Sequence, residues 1–128
     1  MEQNLLDTHT LIWFIEGDKQ LSRIARSSIE EANVLNYVSI ASLWEIAIKV
    51  SLKKLELKQP FDQINKQLIE NGFELLPVTF ADTVTVSALP FHHRDPFDRL
   101  IIAQALNSGI NVITKDENIP LYGVKVIW

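Results

Sequence analysis

With 128 residues, 47% of them hydrophobic, the chain has the length and apolar content of one domain with a sizeable core. It contains no cysteine, which excludes disulfide scaffolds, thiolate metal centres and thiol nucleophiles, so any metal must be held by oxygen or imidazole. The formal charge of −4 argues at first against a nucleic-acid partner, but setting aside Asp7, Glu45, Asp98 and Asp116 leaves acids and bases in balance.

The opening residues are not basic, and the apolar run Leu11–Ile15 falls far short of the roughly 20 residues that span a bilayer, so a soluble cytoplasmic protein is expected. Asn4–Leu6 reads as a short strand ending at Asp7, and Thr10–Ile15 as a helix broken by Gly17-Asp18. Ser22 is an N-cap candidate for an amphipathic helix over Arg23–Ala32. Val34–Val38 is a β-branched and aromatic strand, and Ile40–Leu52 a long helix. Pro60 opens a helix over Phe61–Glu70, stopped by Asn71-Gly72, and Phe73–Val78 reads as a strand. Thr79-Phe80-Ala81-Asp82 has the form of a capping box starting a helix to Leu89. A proline-bracketed loop, Pro90–Phe97, leads into a helix over Asp98–Asn107, closed by Gly109. Asn111–Thr114 and Val124–Ile127 are the last strands.

Strands separated by helix-length segments require crossover connections, so the expected architecture is a three-layer α/β/α sandwich around a mostly parallel sheet. In such sheets ligands bind beyond the carboxyl ends of the strands. Asp7, Glu45, Asp98 and Asp116 all map near that edge. Converging carboxylates repel one another unless a cation lies between them, and hard oxygen donors suit Mg²⁺ or Mn²⁺, the ions of phosphoryl chemistry.

Each acid also has a purely structural explanation. Asp7 could cap the helix it precedes, Glu45 could close a capping box with Ser42 or pair with Lys49, and Asp116 could be a turn residue. Asp95-Pro96-Phe97-Asp98 fits an N-cap, a proline at the first helical position and an acid near the helix dipole. Asp95 is taken as that cap in preference to a member of the acidic cluster. Lys49 and Arg99 lie close enough in sequence to the acids to contact scissile or flanking phosphates, or else to pair with the acids themselves. His9, His92 and His93 are left out of the catalytic set, because water activated by a metal needs no histidine base. Trp13, Phe14 and Trp44 are expected mostly in the core.

Four segments decide between these readings: Leu5-Leu6-Asp7-Thr8-His9-Thr10, Ser42 to Lys49, His93 to Ala105, and Thr114-Lys115-Asp116. In this order and spacing they resemble the PIN-domain family, and within it the VapC-like toxins of bacterial toxin-antitoxin pairs. The resemblance implies a PIN fold over residues 1–128 and a Mg²⁺- or Mn²⁺-dependent endoribonuclease. Asp7, Glu45, Asp98 and Asp116 match the family's four acids, with the first three expected as direct ligands and Asp116 as an outer-sphere partner. Thr114 matches the hydroxyl residue that orients a carboxylate or water. An antitoxin covering the site and a second copy of the chain are the implied partners. Leu52-Lys53-Lys54-Leu55 departs from many relatives, which place glycine there. The alternatives are a catalytically silent module that binds RNA or protein, and a phosphohydrolase of small phosphate esters, although the phosphoaspartate type would want Asp-x-Asp where this chain has Asp7-Thr8-His9.

Overall fold

The computed structural model describes residues 1–128. Five parallel strands, β1 (Glu2–Leu6), β2 (Val34–Ser39), β3 (Glu74–Leu76), β4 (Asn111–Ile113) and β5 (Val126–Ile127), form one sheet in the order β3-β2-β1-β4-β5. Six helices surround it: α1 (Thr8–Glu16), α2 (Arg23–Glu30), α3 (Ile40–Ser51), α4 (Ile64–Glu70), α5 (Phe80–Ala88) and α6 (Pro96–Ser108). The three-layer α/β/α expectation holds. Both faces are buried, and alternation along the strands shows it. Leu6 and Ile113 pack into a cluster with Leu11, Ala25, Ile46 and Leu68, whereas their neighbours Leu5 and Val112 pack into a second cluster with Ile101, Ile102 and Ala105.

The register is marked by polar side chains. Asn4 lies opposite both Asn36 and Asn111, and the three asparagines hydrogen-bond in a row across the sheet, with Asn36 passing on to the Ile29 carbonyl. Satisfying these buried amides only in this pairing penalises slipped registers.

Several boundaries differ from the sequence reading for local reasons. α1 begins at Thr8 because Asp7 caps it, and α6 begins at Pro96 because Asp95 accepts from the Phe97 and Asp98 amides. β3 stops before Pro77, which has no N–H to offer a ladder. β5 is only two residues long, and Ile119–Tyr122 forms a 3₁₀ turn within the segment read as loop.

The departure at Lys53 has a structural cost. α3 ends with the Lys54 amide reaching back to the Lys49 carbonyl, a geometry that puts Lys53 at φ +58°. A side chain is disfavoured there, whereas glycine adopts it freely. Lys53→Gly is therefore expected to raise stability by about 0.5–1 kcal/mol, less than the full relief because glycine also loosens the unfolded chain. Chemical denaturation checks this, and an unchanged or lowered midpoint contradicts it.

Candidate active site

The strand order reverses direction between β1 and β4, since β2 and β3 extend the sheet to one side and β5 to the other. A crevice opens at such a switch point. Asp7 follows β1 directly and Thr114 follows β4 directly, so both are placed at its floor. The cleft, about 440 Å³, is lined by Asp7, Asp98, Asp116, Asp95, His93 and Lys115, among others.

Asp7 is 5% exposed and both its oxygens are engaged: Oδ1 accepts the Thr10 amide at 2.9 Å, and Oδ2 accepts the Thr114 hydroxyl at 2.5 Å. It does cap α1, so the capping and site readings of this residue are compatible. Burial raises its pKa above the usual carboxylate value, against the opposing effect of these hydrogen bonds. The Thr114 hydroxyl also accepts the Asp116 amide at 3.0 Å. One hydroxyl thus ties the end of β4 to β1 and sets Asp116 relative to Asp7.

Asp98 comes from the first turn of α6. Burial pushes its pKa up to about 7, reinforced by the charges of Asp95, Asp7 and Glu45 and opposed by His93. His93 Nε2 lies 2.6 Å from Asp116 Oδ2 and 3.2 Å from Asp98 Oδ2. The ligating atoms of these three residues all fall within 4.8 Å of one another.

Glu45 is not among the residues that line the cleft, although its charge acts on Asp98. Its Oε1 accepts the Thr8 hydroxyl at 2.7 Å, and its Oε2 meets the Lys49 ammonium at 2.8 Å. Ser39, not Ser42, caps α3, so no capping box involves Glu45. Lys49 is thus an i,i+4 partner of Glu45. Of the predicted set, then, Asp7, Asp98 and Asp116 share the cleft, and Glu45, which is buried, does not line it.

Two expectations are corrected. Arg99 is not placed to meet RNA: it is 6% exposed, and its guanidinium donates to the carbonyls of Val86, Leu89, Pro90 and His93. It pairs with no carboxylate; the C-terminal carbonyls of α5 and the Phe91 ring, 4.2 Å from the guanidinium carbon, surround it. Trp44 is not core but 60% exposed, resting edge-on against Phe97, because it faces away from the sheet on α3. Trp13 and Phe14 are half-buried against the α1–α4 cluster.

His93 is the site residue that sequence reasoning set aside. Its local signal was its position two residues before the α6 cap, but its contact with Asp116 spans 23 residues and appears only in the folded chain.

A family model described as the PIN domain matches residues 5–125. The chain belongs to the PIN domain family. This PIN domain is 33% identical over 116 residues to ribonuclease VapC22 of Mycobacterium tuberculosis, covering 90% of this chain and 88% of that protein. Its fold is shared with a chain in the VapBC2 complex of Rickettsia felis bound to a promoter DNA fragment, with a TM-score of 0.71 and 14% identity over 97% of this chain and 96% of the other. The same fold recurs in DNA-bound VapBC from Salmonella typhimurium, with a TM-score of 0.67 and 18% identity over 98% and 97% of the two chains. No helix of this PIN domain is long and apolar enough to cross a membrane.

Proposed function

We propose that this PIN domain is a metal-dependent endoribonuclease, the toxin of a toxin–antitoxin pair, that hydrolyses RNA phosphodiesters in the cleft between β1 and β4. The observation that carries this reading is that Asp7, Asp98 and Asp116 line one cleft, in which burial and the charges of Asp95, Asp7 and Glu45 push the Asp98 pKa up. Such an excess of negative charge is what a hard divalent cation relieves, and the donors are all oxygens suited to Mg²⁺ or Mn²⁺. The donor set therefore fits the ion. Asp7, Asp98 and Asp116, which line the cleft, would hold it, so that Asp116 takes the direct role expected of Glu45 from the sequence and Glu45 completes the acidic set. When bound, the ion supplies Lewis acidity toward a phosphodiester and toward an attacking water.

The chain's own groups do the rest. Thr114 and the Thr10 amide fix the Asp7 carboxylate in one rotamer, and Thr8 and Lys49 do the same for Glu45, so little reorganisation is needed when RNA arrives. Lys115 on the cleft wall and Lys49, 36% exposed at its side chain, are the cations proposed to meet flanking phosphates. An antitoxin and a second copy are the proposed protein partners, for which Trp44 and Phe80 supply exposed apolar surface. Similarity to ribonuclease VapC22 and to chains of VapBC complexes supports both parts of the reading.

Purified protein incubated with a structured RNA pool is expected to cleave it with Mg²⁺ or Mn²⁺ and to stop on addition of EDTA. Asp7→Asn is expected to lose orders of magnitude in rate while remaining folded. Cleavage that survives EDTA, or survives Asp7→Asn at the wild-type rate, rules the mechanism out. RNA binding without cleavage would indicate the silent module instead.

A further inference from the structure

Three polar groups converge at the mouth of the cleft, but they do not play one role. His93, Asp98 and Asp116 present atoms close enough to share an ion, so imidazole ligation is the simplest interpretation of the distances alone. The hydrogen-bond directions rule it out. His93 Nδ1 lies 3.1 Å from the backbone nitrogen of Asp95, whose N–H points at it. An N–H can only donate, so Nδ1 must be the bare acceptor nitrogen, and the ring proton must reside on Nε2. That proton is then donated to Asp116 Oδ2, 2.6 Å away, while Asp98 Oδ2 stands at 3.2 Å. To ligate a metal through Nε2 the ring would have to move its proton to Nδ1, setting two N–H donors against each other. A doubly protonated ring has the same conflict.

The surroundings hold the ring in this pose. The His93 amide donates to the Tyr122 hydroxyl at 2.8 Å, and the His93 carbonyl accepts from Arg99 at 3.1 Å. Tyr122 in turn donates to the Pro90 carbonyl at 2.7 Å. Asp95 is itself fixed as the cap of α6, the helix that carries Asp98. The backbone amide that selects the tautomer therefore belongs to the same helix start that carries Asp98. Asp116 is held at its other oxygen by the Asn118 amide at 2.8 Å.

We propose that His93 is a positioning residue of the cleft: locked as the Nε2–H tautomer by the Asp95 amide, it donates to Asp116 and holds that carboxylate beside Asp98, without ligating the ion. This rests on the metal-site part of the function proposed above. It assigns His93 the outer-sphere role in which a hydrogen-bond donor orients a ligand, a role whose loss typically costs about 10–100-fold in metal affinity.

The test uses the full ¹⁵N-labelled chain at pH 8. Two-bond ¹H–¹⁵N spectra are expected to show His93 protonated at Nε2 and bare at Nδ1 without metal, and to show the same tautomer at saturating Mg²⁺. A proton on Nδ1, or loss of the Nε2 proton when Mg²⁺ binds, would overturn the proposal. Mg²⁺ titration by calorimetry supplies the second readout. His93→Ala should bind about 10–100-fold more weakly, and His93→Gln, which keeps an N–H donor of similar reach, should recover most of that loss. Wild-type affinity in His93→Ala overturns the proposal, as does a His93→Gln variant no better than alanine. Neither readout involves RNA. A wild-type protein that behaves as described but cleaves no RNA would remove the nuclease reading and leave the role of His93 standing.

Discussion

Asp98→Asn is expected to abolish RNA cleavage and, in the absence of metal, to make the protein harder to unfold at pH 8. The two effects have one cause. Asp98 sits partly buried among Asp7, Asp95 and Glu45, so its charged form is disfavoured and its pKa rises from 3.8 to about 7 in the folded state. A carboxyl raised in this way binds its proton more tightly when folded than when unfolded. Its contribution to stability is fully present below the unfolded value and is lost as pH rises from about 4 through about 7. Asp7, raised by burial, adds a loss of the same sign. Asparagine keeps the shape of the protonated acid and never ionises. In EDTA, thermal melts should find wild type and Asp98→Asn alike near pH 4, with the variant ahead by on the order of 2–4 kcal/mol at pH 8. Divalent metal should close most of that gap, because an ion at 100 times its Kd stabilises the wild type by about 2.7 kcal/mol and the variant, missing a ligand, by much less. A variant less stable than wild type at pH 8 in EDTA would show that Asp98 carries no electrostatic strain. Substantial cleavage by the variant would remove Asp98 from the catalytic set.

Arg99→Ala is expected to destabilise the protein strongly, on the order of 3 kcal/mol, and to impair the site indirectly. The guanidinium gathers four main-chain carbonyls: Val86 and Leu89 at the end of α5, and Pro90 and His93 in the loop that leads to α6. Removing it leaves those acceptors without a donor in a site that is nearly closed to solvent. It also releases the loop that presents His93 to Asp116. Lysine is a poor substitute, since three donors on one nitrogen cannot span carbonyls that a planar fork reaches on two sides. Denaturant unfolding of Arg99→Ala and Arg99→Lys measures this, with both well below wild type. The alternative role, a phosphate contact, predicts the reverse pattern: an unchanged midpoint together with weaker RNA binding and a salt dependence reduced by about one charge.

The two substitutions separate what a linear motif can convey from what it cannot. Apolar periodicity and turn residues were enough for the α/β/α architecture, because helices and strands are local periodic patterns and parallel strands admit few arrangements. Capping chemistry is equally local, so Ser22, Thr79 with Asp82, and Asp95 with Pro96 were legible as helix starts, and their side chains do accept the expected amides. Strand ends were less legible. Phe73 and Val124 have strand-like residue types yet lie outside the ladder, because pairing depends on a neighbour that is distant in the chain.

The four acids stood out in the sequence by residue type and by the wording around them. Residue type alone could not divide their work. The fold placed Asp7, Asp98 and Asp116 on one cleft and engaged Glu45 with Thr8 and Lys49 instead. It turned Arg99, which looks like a phosphate contact beside an acid, inward to a ring of carbonyls, and it brought His93 across 23 residues to Asp116. The physical reason is range. Helix caps, turns and amphipathic faces are settled by interactions within about four residues, and a sequence displays those directly. The protonation of Asp98, the tautomer of His93 and the partners of Arg99 depend on burial and on groups from other elements, and these exist only once the sheet and its helices have closed.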